Sequence, residues 1–207
     1  MKKWTLQILS MMTLGSCFIG HAEEEKAVKV EVKKMNIIAQ ASPMNTASNV
    51  TNFTYRPKKW LQSHLLVDAK MASNSGANKV EALDVLQVEV YIALSSKTEG
   101  KTDVLHGTFS FTDCSLVDES NMLFYVSPNT LKRFLKKDSF SEGADVKAWG
   151  ILINYNGKLV GGDTSMTGNK WWEKTEGLNI VDNLILAKKD SPYASLWGDF
   201  DLQVQKQ

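Results

Sequence analysis

The sequence predicts an all-β fold, mainly strands with one short helix, arranged as an antiparallel two-sheet sandwich. Three observations lead there. Val85–Leu94 alternates strictly: Leu86, Val88, Val90, Ile92 and Leu94 are aliphatic, and Gln87, Glu89 and Tyr91 stand between them. That is the pattern of a strand with one buried face. About eight or nine such stretches follow one another, separated by turn signals. Strands never alternate regularly with helices, so a doubly wound parallel sheet is disfavoured. A small closed barrel is the alternative.

The first 22 residues read as a leader. Met1-Lys2-Lys3 is basic, Trp4 to Ile19 is apolar and uncharged, and Gly20-His21-Ala22 offers small residues for cleavage before Glu23-Glu24-Glu25. A second reading takes Leu14-Gly15-Ser16-Cys17 as a lipobox, with Cys17 as a lipid anchor. Phe18-Ile19-Gly20 continues the apolar run past that cysteine and favours cleavage after Ala22. The expectation is a signal peptide over 1–22 and a single β-sandwich domain over 23–207, with no transmembrane segment in the mature chain.

The remaining elements follow in order. Val28, Val30 and Val32 alternate with charged residues, and Met35–Ala39 continues the strand after a bulge at Lys33-Lys34. Ser42–Thr54 is a polar loop with Asn-X-Thr sequons at Asn49 and Asn52. Trp60–Met71 is a strand with Leu61, Leu65, Val67 and Ala69 on one face. Ser73–Lys79 holds a turn. Ser95–Asp103 reads as a polar connection, Val104–Thr112 as a strand and Asp118–Asn121 as a turn. Met122–Val126 is apolar throughout and reads as buried on both sides. Ser127 caps the one helix, Asn129–Lys137, with Pro128 in its first turn. Ser139–Asp145 reads as a loop. Asn156-Gly157 sets a tight hairpin, whose second arm ends at Gly161-Gly162. Thr164–Gly177 is a polar excursion carrying Trp171 and Trp172. Asn179–Lys188 reads as one strand, and Leu196–Val204 as an edge strand or docking tail.

Charge and chemistry exclude more than they assign. The leader removes two lysines and no acid from the 24 basic and 23 acidic residues, leaving a net charge near −1. No basic cluster is interleaved with aromatics, so nucleic-acid binding is not expected. After the leader, Cys114 is the single cysteine and no internal disulfide can form. His64 and His106 are the remaining histidines. Cys114 lies eight residues beyond His106, but no nucleophile elbow or oxyanion glycine pattern accompanies the pair. Asp163–Asn169 imitates the start of a calcium loop, yet Lys174 stands where a bidentate Glu is needed. Asp113, Asp118, Glu119, Glu142 and Asp145 all fall in polar turns. No metal, cofactor or catalytic residue is therefore expected. Trp171 and Trp172 are the candidate binding residues, because adjacent tryptophans on a loop can stack on a sugar or fill a partner's pocket.

Two short stretches carry a resemblance. Arg56-Pro57-Lys58-Lys59-Trp60-Leu61 leads into one strand, and Leu186-Ala187-Lys188-Lys189-Asp190-Ser191-Pro192-Tyr193-Ala194 follows another. Together with the leader they resemble secreted envelope proteins of Verrucomicrobia of the Akkermansia type, associated with type IV pilus-like machinery. The resemblance implies an immunoglobulin-like sandwich, a periplasmic, outer-membrane or cell-surface location, and partners among envelope or pilus-assembly proteins. It implies no catalytic residue. The acidic, strand-like sequence after Ala22 lacks the apolar helix of a pilin subunit, so an accessory role is expected. The expected function is non-enzymatic protein–protein contact. A carbohydrate-binding module using the Trp171/Trp172 loop, with glycans as ligands, is the alternative.

Overall fold

The computed structural model describes residues 27–43, 56–71, 80–166 and 170–205. The leader with Cys17, both sequons and the Ser73–Lys79 turn lie outside the described residues. No helix among the described residues is long and apolar enough to cross a membrane.

Two sheets pack face to face. The first has the order β1 (Val28–Ala41), β2 (Lys59–Met71), β5 (Ser120–Val126), β9 (Leu186–Ala187). The second has the order β7 (Lys158–Thr164), β6 (Val146–Tyr155), β3 (Ala82–Thr98), β4 (Lys101–Ser115), β8 (Leu178–Asp182). Strand β3 is central. Its aliphatic face, from Leu86 to Leu94, is fully buried, and each such side chain contributes about 1.5–3 kcal/mol relative to an exposed position. Leu61, Leu65, Val67 and Ala69 of β2 face it across the core, with Phe109, Phe111 and Phe124 packed between the layers. All of Met122–Val126 is buried, as the sequence predicts.

The sandwich matches the expected fold, with local departures. Strands β3 and β4 run on through the expected Ser95–Asp103 connection. They meet at the two-residue turn Glu99-Gly100, with φ +52° and +80°. Both angles suit a primed hairpin turn. The Asn156-Gly157 turn is the same kind, with φ +50° and +74°, and β7 runs past the glycine pair to Thr164. The Asn179–Lys188 stretch is two strands. β8 pairs parallel to β4, an exception to the antiparallel pattern; the chain then turns at Asn183, φ +61°, and β9 joins the other sheet beside β5. The bulge in β1 falls between Val32 and Lys34, as expected.

The two layers touch along both flanks. On one, β7 lies against β1 so tightly that a Cβ at Gly161 would collide with the Val30 carbonyl oxygen. On the other, the tail lies where an edge strand was expected but makes a single bridge, Phe111 with Val204. Its amide and carbonyl groups reach both sheets: Gln205 N–H donates to Ser110 O (2.8 Å), and Leu202 N–H to Asn121 O (2.9 Å). Helix α1 (Pro128–Leu135) covers one end. The Ser127 hydroxyl accepts from the Thr130 amide (3.1 Å), and the helix closes at Lys136, φ +56°, earlier than expected. A single helical turn, α2 (Glu142–Asp145), occupies the expected Ser139–Asp145 loop.

Candidate functional site

The outer face of the five-stranded sheet holds the predicted tryptophans. β7 and β8 form opposite edges of that sheet, and residues 170–177, which lead into β8, lie over the face between them. Trp171 and Trp172 form a 3-10 turn in this strap. They are 8% and 5% exposed. Trp172 lies on Gly150 of β6, where a Cβ would collide with its ring carbons. Its ring stacks on Tyr91 of β3 (5.2 Å between centroids), and Tyr91 stacks in turn on His106 of β4 (4.4 Å). Trp171 packs edge-on to Trp172, and its indole N–H donates to Trp149 O (3.4 Å). These indoles hold the strap down; their stacking faces are taken by the chain itself. An open groove of about 440 Å³ remains beside Trp172, between Lys170, Asp163 and the glycine pair of β7.

Polar groups gather under the strap. Tyr91 donates to Glu89 Oε2 (3.0 Å), Asn154 to Glu89 Oε1 (3.2 Å), and the His106 Nδ1–H to Asp182 Oδ1 (2.6 Å). Burial and the Glu89 carboxylate both push the Tyr91 phenol above its ordinary range. The network is built from the outward positions of β3 and β4, which the alternation of those strands marks as polar.

Cys114 does not join it. Phe111 and Cys114 both face the core, with Thr112 and Asp113 outward between them, and Asp113 has φ +59°. This break in alternation puts Cys114 inside the sandwich while His106 lies on its outer face. Burial pushes the Cys114 thiol up, and the Ser120 hydroxyl offsets part of that. A buried, protonated thiol is a poor nucleophile. Asp163 Oδ1 accepts from the Thr164 amide (2.8 Å), and no cluster of three metal-ligating side chains occurs among the described residues. Of the turn acids, Asp145 is drawn inward. It accepts from Ser141 N–H (2.9 Å) and pairs with Lys137 Nζ (2.7 Å).

The outer face of the four-stranded sheet brings together the two stretches that carry the resemblance. Tyr193 is 1% exposed and stacks on Tyr125 (4.6 Å), with Trp60 edge-on at 6.1 Å. Its hydroxyl donates to the carbonyls of Gln40 and Ala41 at the end of β1 (3.1 and 2.9 Å). Ser191 closes the turn before it, donating to Lys188 O (2.7 Å). Lys188 is itself buried. It donates to Trp197 O (2.8 Å) and to Asp201 Oδ1 (2.5 Å), and both side chains of that pair are 7% exposed. Arg56, Lys58 and Lys59 line an open groove beside α1, floored by Leu131, Leu135 and Phe140.

The Lys188 anchor fixes a turn that the sequence reading missed. Trp197 is 50% exposed and Phe200 45%. With Gln62, His64, Leu123 and Asp199 they line an open groove of about 400 Å³. Trp197 has φ +52°, a left-handed conformation that is a genuine outlier for so large a side chain. The available signal was Trp197-Gly198-Asp199, which reads as a turn rather than a strand.

No curated protein matches the sequence. A crystal structure of a protein from Akkermansia muciniphila matches with a TM-score of 0.75 and 21% identity, over 88% of this chain and 96% of that one. At that identity the likeness shows the fold. A family model matches residues 21–207, from within the leader-like segment to the last residue, and the chain belongs to that family.

Proposed function

We propose that the protein is exported to the cell envelope and works there without catalysis, by contact with other envelope proteins, as an accessory of a type IV pilus-like system. The leader and the two motifs that resemble the Verrucomicrobial proteins support the location and the pilus system. The contact itself rests on one observation, the composition of β1. This 14-residue strand pairs with β2 alone. Its first half carries Lys29, Glu31, Lys33 and Lys34, packs against β7 near Val30, and ends in a bulge. Charges and bulges are how edge strands are protected from adding a neighbour. Beyond the bulge, Met35-Asn36-Ile37-Ile38-Ala39 carries no charge and is only half-buried. That half of the edge is suited to accept a partner strand.

The test is chemical cross-linking in the native envelope, with cross-linked peptides read by mass spectrometry. The expected result is a link from residues 34–40 to a pilus-assembly protein, lost in Ile38→Lys. Recovery of the protein alone, or links confined to other surfaces, would overturn this reading.

A further inference from the structure

We propose that the groove between Trp197 and Phe200 is a carbohydrate-binding site, which takes the apolar face of a neutral pyranose. Three features of the groove point there. The first is its aromatic rim. Trp197 and Phe200 are both about half exposed, and their turn is held by a buried ion pair between Lys188 and Asp201. The rim is therefore rigid and loses little freedom when a ligand stacks on it.

The second is the cost of presenting Trp197. Its left-handed backbone, φ +52°, suits glycine and is unfavourable for other residues. Strain of this kind persists where the surroundings over-determine it, and it clusters at ligand clamps. The interactions that hold the turn, Lys188 Nζ to Trp197 O and Phe200 N–H to Trp197 O (3.0 Å), use the backbone carbonyl alone.

The third is the polarity of the lining. Gln62 is 8% exposed, and its amide oxygen is buried without a hydrogen-bond partner. His64 Nε2 is hydrogen-bonded to Asn121 Oδ1 (2.7 Å), which leaves the other ring nitrogen for the groove. Asp199 adds a carboxylate. Acceptors on Gln62, His64 and Asp199 lie beside the Gln62 amide and Trp197 indole donors, so the ligand must bring hydroxyl-like groups that both donate and accept, together with a flat apolar face. A quaternary ammonium brings no donor, and a primary ammonium has no flat face. A sugar ring has hydroxyls at its edge and C–H groups on its face, and it fits the groove on both counts. The groove adjoins the β1 edge, since Gln62 and His64 pair with Ile38 and Asn36, and the two proposals separate in Trp197→Ala, which should lose sugar binding and keep the cross-link from residues 34–40.

The experiment is a pyranose oligosaccharide array probed with the full mature chain. Cellotriose, chitotriose, maltotriose and galactotriose are then titrated against its tryptophan fluorescence. Saturable binding is expected, weakened about tenfold or more in Trp197→Ala and weakened also in Gln62→Leu. Trp197→Gly is the decisive variant: it should lose binding while its Tm rises, since glycine relieves the backbone. A Trp197 that is merely structural would give a lower Tm in both Trp197 variants. Absence of binding to every oligosaccharide, undiminished binding in Trp197→Ala, or occupation of the groove by a protein that free sugar does not displace would each overturn the proposal.

Discussion

Lys188 shows how much one side chain can organise. It sits in a run of polar residues, and the sequence marks it as a surface lysine. The structure buries it because two acceptors, Trp197 O and Asp201 Oδ1, meet its ammonium where the tail folds back. Removing one member of such a pair leaves the other charge buried and unmatched. Lys188→Met is expected to cost about 3–5 kcal/mol in urea unfolding. The double variant Lys188→Met/Asp201→Leu should recover most of that loss. Equal losses in the single and double variants would show that the pair itself, and not the stranded charge, stabilises the tail. At this same scale Trp171 and Trp172 are more buried than their sequence context implies. Their polar neighbours in sequence suggest an exposed loop, but Tyr91, Ala93, Val104 and Ala148 form an apolar patch under the strap. A patch assembled from three strands is not visible in any one of them.

The strands were most legible where one face meets the core. The alternation of Leu86–Leu94 located β3, and the charged-then-apolar pattern of 28–39 located β1 with its bulge. Legibility failed where the β3–β4 hairpin extends past the core. Lys97, Thr98, Lys101 and Thr102 lie at its tip, where no buried face imposes a period of two, and only the turn chemistry remains to be read. Glu99 is a poor match for that turn. Asn tolerates a positive φ far better than Glu. Glu99→Asn is therefore expected to stabilise the protein by about 0.5–1 kcal/mol, measured as a higher urea midpoint with an unchanged slope. The division of 178–187 between two sheets was hidden for a different reason. Its apolar content suits either layer, and one left-handed residue, Asn183, makes the switch.

For the molecule as a whole, the ionisable groups set a lower pH limit. Asp145 sits where α1, α2 and β3 meet. Burial pushes its carboxyl up, but Lys137 and the Ser141 amide outweigh this and hold it below the usual range. The Lys70 ammonium lowers Asp68, and the Lys132 ammonium lowers Asp138. A carboxyl whose folded pKa lies below its unfolded value stabilises the fold above that unfolded value, about 3.9 for Asp. The contribution is lost as pH falls through the folded pKa. The urea midpoint should thus hold steady from pH 7 to about pH 5 and drop below pH 4. In Asp145→Asn it should start lower at pH 7 and fall less steeply in acid. An equal fall in both proteins would remove Asp145 from that account. At this scale the two-layer architecture was legible, because strand patterns and turns suffice to specify a sandwich. The contact of its layers along the flanks was not, because it joins residues far apart in the chain.

The strap also fixes an order of assembly. The β3–β4 and β6–β7 hairpins each close across two residues, so the search that forms them is short. β8 has no such advantage. Asn179 meets Asp103 across 76 residues, and only after β6, β3 and β4 stand side by side is there a face for residues 170–177 to lie on. Until then the flank of β4 is uncovered in every newly made chain. The interval before the strap is laid is thus when the chain is most prone to pair with its neighbours, and the buried faces of Trp171 and Trp172 are what covers that flank once it is laid.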